Sequence, residues 1–147
     1  MTAAGTIAAI ARSGMEVEWQ RIEVIARNLA NAGTTRMASG EAYVPQRLIS
    51  GPAFMTQAGV APWPADARPA GGVRIYGIEA MDTQPRLMHE PAHPHADANG
   101  NVAYPGIDHA AEMTLLIQSQ RIYEANVAVY NLARTMYARA LEIGSRS

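Results

Sequence analysis

The chain has 147 residues, a length that suits one domain with a modest core, and its 48 % hydrophobic and 17 % charged residues argue against wholesale disorder. The net charge of −1 excludes a broad electrostatic attraction to nucleic acid or to an anionic membrane. Because cysteine is absent, a disulfide framework, a thiolate metal site and a cysteine nucleophile are excluded as well.

The amino-terminal segment is expected to form one long amphipathic helix from Ala3 to Ala32. No basic region precedes its apolar run, so we expect no cleaved signal peptide, and no apolar run is long enough to span a bilayer. We expect Gly33 to end the helix in the left-handed conformation and Gly14 to weaken its middle. Apolar residues recur with a three-four spacing at Ala8, Ala11, Met15, Trp19, Ile22, Ile25 or Ala26, and Leu29.

Segment 36–104 is expected to form a small β-rich insertion. Asn99-Gly100 is a strong turn signal, and residues 82–85 predict a turn between two strands. Between Gly51 and Gly72, four prolines predict a loop that is mobile in a single chain. Short alternating runs that predict strands occupy residues 43–49, 73–80, 86–89 and 102–104.

A second long helix is predicted from Asp108 to Ile143, with Gly144 at its end. The Asp108 carboxylate can cap the free amides at the helix start, and Glu112 lies in the first turn, where the helix dipole favours an acid. Two apolar stripes are present, and a two-helix hairpin can cover only one of them, so the other must face the insertion or another molecule. The first stripe contains Met113, Leu116, Tyr123, Val127, Tyr130, Tyr137 and Leu141, and the second contains Ile122, Ala125, Val129, Leu132, Met136 and Ile143.

Together these elements predict an α+β fold, in which the terminal helices pack as an antiparallel coiled-coil-like pair with the β-rich insertion between them. The expected boundaries are 1–35 for the first helix, 36–104 for the insertion and 105–147 for the second helix. Because the helix pair buries few large side chains, we expect the helices to be loosely ordered in the monomer and to gain order from neighbouring molecules.

Two stretches of the helices carry polar residues that could serve an interface. Asn28 and Asn31 lie three residues apart on one helical face, where they could fix register against another helix or could serve as ordinary caps of a fraying helix end. In the second helix, Arg121, Glu124 and Asn126 form a polar band that could bond across an interface or could lie on a solvated helix face.

A loop rich in histidine is the remaining candidate site. Residues 89–97 include His89, Glu90, His93, His95 and Asp97, which offer imidazole and carboxylate ligands for zinc or copper. The prolines at positions 91 and 94 exclude a regular helical display, so a proline-rich loop explains the segment better than a metal site. Residues 97–101 lack the ligands of a calcium loop. No phosphate loop, nucleophile elbow or acid–base pair is present, so neither enzyme activity nor a cofactor is expected.

Several of these segments resemble a known family. Residues 25–34, with the sequence IARNLANAGT, resemble the asparagine-rich signature of the bacterial flagellar rod and hook family. Residues 85–94 and 96–102 resemble the middle segment of its proximal rod members, and residues 100–136 resemble their carboxy-terminal helix. Residues 37–72 match poorly. Arg27 and Gly106 stand where the family usually has asparagine.

The resemblance implies a structural subunit of the proximal rod, exported unfolded through the flagellar type III apparatus and stacked helically into the drive shaft that crosses the periplasm and transmits motor torque. Its partners would be copies of itself, other rod proteins, the export apparatus and the basal-body rings, without nucleic acid or membrane insertion. The two alternatives are a soluble helical binding module that acts as a monomer and a histidine-loop metal-binding protein. The assembly interface that the resemblance implies contains Asn28, Leu29, Asn31, Asp108, Glu112, Met113, Arg121, Tyr123, Glu124 and Asn126.

Overall fold

The computed structural model describes residues 3–53, 55–56, 59–60 and 71–144 as two long helices with short strands between them in the chain. The predicted α+β class is confirmed. Within these residues the strands form three two-stranded sheets, β1 with β4, β2 with β3 and β5 with β6. In chain order the elements are α1 (Ala3–Ala30), β1 (Gln46–Pro52), β2 (Met55–Thr56), β3 (Gly59–Val60), β4 (Val73–Ala80), β5 (Arg86–His89), β6 (Asn101–Tyr104) and α2 (His109–Gly144).

Helix α1 ends at Ala30, two residues before the predicted end. The prediction that Gly33 ends the helix in the left-handed conformation is wrong. Gly33 is not among the glycines with positive φ. The end of the helix is instead satisfied by Asn31, whose Nδ2 donates to the main-chain oxygen of Arg27 at 2.9 Å. Thr34 N then donates to Asn31 O at 2.9 Å, which continues the chain as a turn. A side-chain cap therefore replaces the glycine cap.

Helix α2 begins as predicted. Asp108 Oδ1 accepts hydrogen bonds from the main-chain N–H groups of Ala110 at 2.9 Å and Ala111 at 3.1 Å. These two amides have no partner within the helix, so the carboxylate satisfies donors that would otherwise be free. Glu112 lies in the first turn, and the helix continues through Gly144.

The strands between the helices follow the sequence prediction in part. β4 and β5 have the predicted bounds, whereas β1 starts at Gln46 and not at Tyr43. The predicted turn at residues 82–85 does not join paired strands, because β4 pairs with β1 and β5 pairs with β6. Within the predicted loop 51–72, β2 and β3 form a short antiparallel ladder. Residues 54, 57–58 and 61–70 of that loop lie outside the described residues.

The hairpin of β5 and β6 is antiparallel and pairs Arg86 with Tyr104 and His89 with Asn101. The predicted turn at Asn99-Gly100 is confirmed. Asp97 Oδ1 accepts from the main-chain N–H groups of both Asn99 and Asn101 at 2.8 Å. Gly100 has a φ of +76°, which glycine adopts without the steric cost that other residues meet. The turn therefore holds the register of the hairpin.

The chain divides into two compact units. The first contains Met1–Gln20, Ile49–Gly77 and Gln118–Ser147, and its buried side chains include Ala11, Val17, Glu18, Ser119 and Ala133. The second contains Arg21–Leu48 and Ile78–Ile117, and its buried side chains include Val24, Ile25, Asn28, Tyr43, Leu48, Val102 and Glu112.

In the first unit, β4 is attached to α1 through Ser13. The main-chain N–H of Val73 donates to Ser13 Oγ at 3.1 Å, and the hydroxyl itself donates to Ile10 O at 2.7 Å. Gly72 has a φ of +97°, and a Cβ on it would meet Ser13 Oγ at 2.6 Å. Glycine at this position therefore permits both the backbone conformation and the close approach to the helix.

Candidate functional site

Asn28 is the most deeply buried polar residue of the predicted interface set, with 1 % of its surface exposed. Its Oδ1 accepts from Tyr43 Oη at 3.0 Å and from the main-chain N–H of Gln46 at 2.9 Å. Its Nδ2 donates to the main-chain oxygen of Gln46 at 2.8 Å and to Glu112 Oε2 at 3.3 Å. All four hydrogen-bonding positions of the amide are therefore occupied within the second unit.

Tyr43 is held against this amide with 7 % of its surface exposed. Burial raises the pKa of the Tyr43 phenol, with the positive charge of Arg27 opposing the shift and the negative charge of Glu112 adding to it. Arg27, which stands where the family usually has asparagine, donates to Gln46 Oε1 at 3.4 Å. Its side chain thus also reaches the start of β1.

The other predicted residues at the end of α1 lie in different surroundings. Leu29 and Asn31 are both half-buried. Asn31 caps its own helix, as described above, and its Oδ1 accepts from the Thr34 hydroxyl at 3.2 Å. Although Asn28 and Asn31 are three residues apart, the Asn28 amide joins segments that are distant in sequence, whereas the described bonds of the Asn31 amide are to Arg27 and Thr34.

At the start of α2, the predicted set divides into one buried and two exposed residues. Glu112 is buried with 7 % of its surface exposed, and its carboxylate faces the Asn28 amide. Asp108, the helix cap, and Met113 are exposed. Burial of a carboxylate is costly unless hydrogen bonds stabilise it, so the Asn28 contact is part of what allows Glu112 to lie there.

The polar band of α2 is mostly bonded within its own helix. Gln120 Nε2 donates to Glu124 Oε1 at 3.3 Å, and Asn126 Nδ2 donates to the main-chain oxygen of Ile122 at 3.0 Å. Arg121 and Glu124 are exposed.

Two members of the predicted interface set in α2 contact α1 within the first unit. The ring of Tyr123 lies 6.1 Å from the ring of Trp19, in a tilted arrangement. A Cβ on Gly14 would lie 2.8 Å from Asn126 Nδ2, so the helices approach closely where α1 has no side chain. Glycine therefore makes room for the asparagine, and the predicted weak point of α1 is a contact position.

The sequence reasoning named Glu112 without predicting its burial, and it missed Ser119 and Ala133 because these side chains are small. Of the side chains that the structure describes in α2, the buried ones are Glu112, Ser119 and Ala133. These residues occupy equivalent positions of a seven-residue repeat that also includes Asn126. In α1, the buried residues Ala11, Glu18 and Ile25 are likewise seven positions apart. The seven-residue spacing was the signal that could have identified them.

By contrast, large apolar side chains of both helices are exposed. Leu132 and Ile143 have 61 % and 73 % of their surfaces exposed. In α1 the exposed group contains Ile7, Ile10 and Trp19, and in α2 it contains Met113, Leu115, Ile117, Ile122, Val129, Leu132, Met136, Tyr137, Leu141 and Ile143. Most of the second predicted stripe belongs to this group. Apolar surface of this extent is typical of a face that another protein covers.

The histidine loop forms internal contacts. His95 N donates to His93 Nδ1 at 3.1 Å, and the His95 ring bonds Thr35 Oγ1 at 2.8 Å. The Tyr104 hydroxyl donates to Glu90 Oε2 at 3.1 Å. Among the residues with described positions, no three histidine, cysteine, aspartate or glutamate side chains are placed to hold a metal ion. Over the same part of the chain, neither helix combines the length and hydropathy that a membrane span requires.

Comparison with known proteins identifies relatives across nearly the whole chain. Residues 98–143 match the family model described as the C-terminal region of the flagellar basal body rod FlgEFG protein. The flagellar basal-body rod protein FlgC of Borreliella burgdorferi is 34 % identical over 141 residues, covering 91 % of this chain and 93 % of the relative.

Two further relatives carry the same name. The FlgC proteins of Salmonella typhimurium and Bacillus subtilis are 32 % and 34 % identical, each covering 92 % of this chain and 93 % and 94 % of their own lengths. Identity at this level over nearly the whole of both chains shows membership, and the resemblance seen in the sequence is confirmed. The chain belongs to the FlgC family of flagellar basal-body rod proteins.

Proposed function

We propose that this rod subunit assembles helically with copies of itself and with other rod proteins into a shaft that transmits motor torque. Family membership makes it a structural subunit of the flagellar basal-body rod. The observation that carries the proposal is the inverted distribution of side chains in α2, in which small and polar residues are buried and large apolar residues are exposed. Neighbouring subunits would bury that apolar surface and so stabilise the assembly.

We further propose that α1 and α2 pair as an antiparallel coiled-coil-like unit. Two contacts of the first unit support this arrangement, because Gly14 faces Asn126 and Trp19 faces Tyr123, so the numbering rises along α1 while it falls along α2. The seven-residue repeat of buried positions is the repeat that such a pair requires. The absence of a side chain at Gly14 and the small buried side chains of Ala11, Ser119 and Ala133 would allow a short distance between the two helix axes.

The ten residues implied by the resemblance form the proposed assembly interface in two roles. The exposed Asp108, Met113, Arg121 and Glu124 would meet neighbouring subunits directly. The remaining six would set the shape of the interface from within the subunit: Asn28, Leu29, Asn31, Glu112, Tyr123 and Asn126. The proposed division places the axial helices in 1–35 and 105–147 and assigns lateral fit between subunits to the insertion 36–104.

The further partners we propose are the flagellar export apparatus and the ring components of the basal body, with the periplasm-spanning rod as the location. The names of the relatives, flagellar basal-body rod proteins, support the location in the basal body. The same relatives favour a structural role over a monomeric binding module, a metal-binding protein or an enzyme.

Substitution of Leu132 tests the role of the apolar face. Because 61 % of its surface is exposed, Leu132→Glu should change the free energy of unfolding of the monomer by less than about 0.5 kcal/mol. The charge should abolish assembly, measured by sedimentation and by swimming of the source bacterium carrying only the variant gene. Leu132→Met, which keeps an apolar side chain of similar volume, is the matched control and should retain both. Normal assembly of Leu132→Glu would contradict the proposal.

Hydrogen exchange tests whether neighbours complete the helices. In the purified monomer we expect weak protection of the α1 and α2 amides of the first unit, and we expect β4 to β6 and the segment bonded to Asn28 to be protected. In the assembled rod, protection of the first-unit helices should increase. Strong protection of both helices in a monodisperse monomer would favour the binding-module alternative.

A further inference from the structure

We propose that Asn28 is a positioning residue that attaches residues 43–46 to the helices within one subunit, and that it makes no bond to a neighbouring subunit. The attachment sets where β1 begins. The inference rests on the proposed assembly for its functional meaning, since a rod subunit must present its insertion in one defined place. It assigns to the asparagine signature an internal role that neither its spacing nor its family predicts.

Accessibility carries the first step. With 1 % of its surface exposed, the Asn28 side chain cannot be reached by another subunit unless the second unit opens. Its amide has two donor hydrogens and an oxygen that accepts two bonds, and all are used by Tyr43, Gln46 and Glu112. A bond to a neighbour would therefore require the loss of an internal one.

The identity of the partners carries the second step. Gln46 is the first residue of β1, and Asn28 bonds both its main-chain N–H and its main-chain oxygen, at 2.9 and 2.8 Å. This pair of bonds imitates the contacts that a neighbouring strand would make. Before the strand, the main-chain N–H of Tyr43 donates to Thr34 O at 3.1 Å, so Tyr43 is bonded to the segment that follows α1 and the strand begins only at Gln46.

Glu112 carries the third step, because it connects the same amide to α2. The Asn28 Nδ2 to Glu112 Oε2 bond of 3.3 Å joins residues 84 positions apart in the chain. One side chain thus joins α1, the start of β1 and the first turn of α2. Close to this amide, Arg27 donates to Gln46 Oε1 and the Glu112 carboxylate accepts from Asn28, and burial raises the pKa of the Tyr43 phenol.

The chemistry of the amide supplies a specific test. Asn28→Asp keeps the shape and the acceptor oxygens but loses both donated bonds, and repulsion between its carboxylate and that of Glu112 should push the side chain away from Gln46. Adding Glu112→Gln removes the opposing charge and supplies an amide that can donate to the new carboxylate at position 28. The single Glu112→Gln variant should behave almost as wild type, since its amide oxygen can still accept from Asn28.

Hydrogen exchange on the purified full-length monomer is the first readout. The Gln46 amide should be protected in the wild type, and its exchange should accelerate by at least about tenfold in Asn28→Asp. Adding Glu112→Gln should restore most of the protection, a rescue that a general loss of stability would not give. Tyr43→Phe removes one accepted bond and is the matched control, so protection of Gln46 should persist in it.

Assembly is the second readout, and it separates this inference from the proposed function. We expect Asn28→Asp to reduce rod incorporation and swimming, and the double variant with Glu112→Gln to recover both. A Gln46 amide that is unprotected in the wild-type monomer and becomes protected only in the rod would overturn the inference and leave the assembly role intact. Failure of the double variant to restore protection would overturn it as well.

Discussion

Gly14 of α1 faces the amide of Asn126 in α2 so closely that a Cβ at position 14 would lie 2.8 Å from Nδ2 and 2.9 Å from both Cγ and Oδ1. The Asn126 amide cannot move freely, because its Nδ2 donates to the main-chain oxygen of Ile122. Gly14 weakens α1 locally, but the absence of a side chain at this position leaves the space that the Asn126 side chain of α2 occupies.

The contact predicts that Gly14 and Asn126 are energetically coupled. In an unobstructed helix, Gly→Ala stabilises by about 1 kcal/mol, whereas overpacking costs about 1–3 kcal/mol. Gly14→Ala should therefore leave the free energy of unfolding unchanged or lower in the wild type and should raise it by about 1 kcal/mol in the Asn126→Ala background. A double-mutant cycle measured by urea unfolding checks this. An equal effect in both backgrounds would show that the contact carries no energy.

The second prediction concerns Asp108, the residue that caps the start of α2. Asp108→Ala should lower the free energy of unfolding by about 1 kcal/mol, because the amides of Ala110 and Ala111 lose their acceptor. Asp108→Asn keeps an acceptor oxygen and should cost only a few tenths of a kcal/mol. Chemical unfolding gives the energies, and faster exchange of the two amides in the alanine variant identifies the cause. Unchanged exchange at these amides would contradict the assignment.

The third prediction concerns Gly106, which stands where the family usually has asparagine. A Cβ there would collide with the main-chain oxygen of Gln84 and lie 3.2 Å from Thr83 Cβ. Gly106→Ala and Gly106→Asn should each lower the free energy of unfolding by about 1–3 kcal/mol, since backbone must shift to accept them. Gly33→Ala is the control, because among the described residues beyond its two chain neighbours no atom lies within 4 Å of its added Cβ. Equal stabilities for the two alanine variants would refute the steric account.

The phenols of Tyr43 and Tyr104 predict an alkaline loss of stability. Burial raises the pKa of Tyr43, and the hydrogen bond to Glu90, followed by burial, raises the pKa of Tyr104. A pKa that is higher in the folded chain stabilises it fully below the unfolded value of about 10, and that stabilisation is lost as pH rises through the folded pKa.

The free energy of unfolding should therefore fall above about pH 10, and the fall should be shallower in Tyr43→Phe and Tyr104→Phe. Urea unfolding at a series of alkaline pH values measures both slopes. If the double Phe variant loses stability as steeply as the wild type, other groups dominate the alkaline transition.

The sequence by itself determined the local features of this protein. Proline-free amphipathic stretches, the Asp108 cap and the Asn99-Gly100 turn correctly predicted two long helices and the β5–β6 hairpin, because these signals act between residues that are close in the chain. The asparagine-rich signature and the middle segment identified the family for the same reason, since they are contiguous patterns.

Only the tertiary structure decided which side chains are buried. In α2, Leu132 and Ile143 of the second predicted stripe are exposed while Ser119 and Ala133 are buried, because burial depends on which parts of the chain the fold packs against each side of the helix. It also decided that Asn28 bonds to Gln46 and Glu112 while Asn31 caps its own helix. These two asparagines, three residues apart, differ because a hydrogen bond depends on which distant groups the fold brings within reach. The spacing of residues in one helix does not indicate which groups those are.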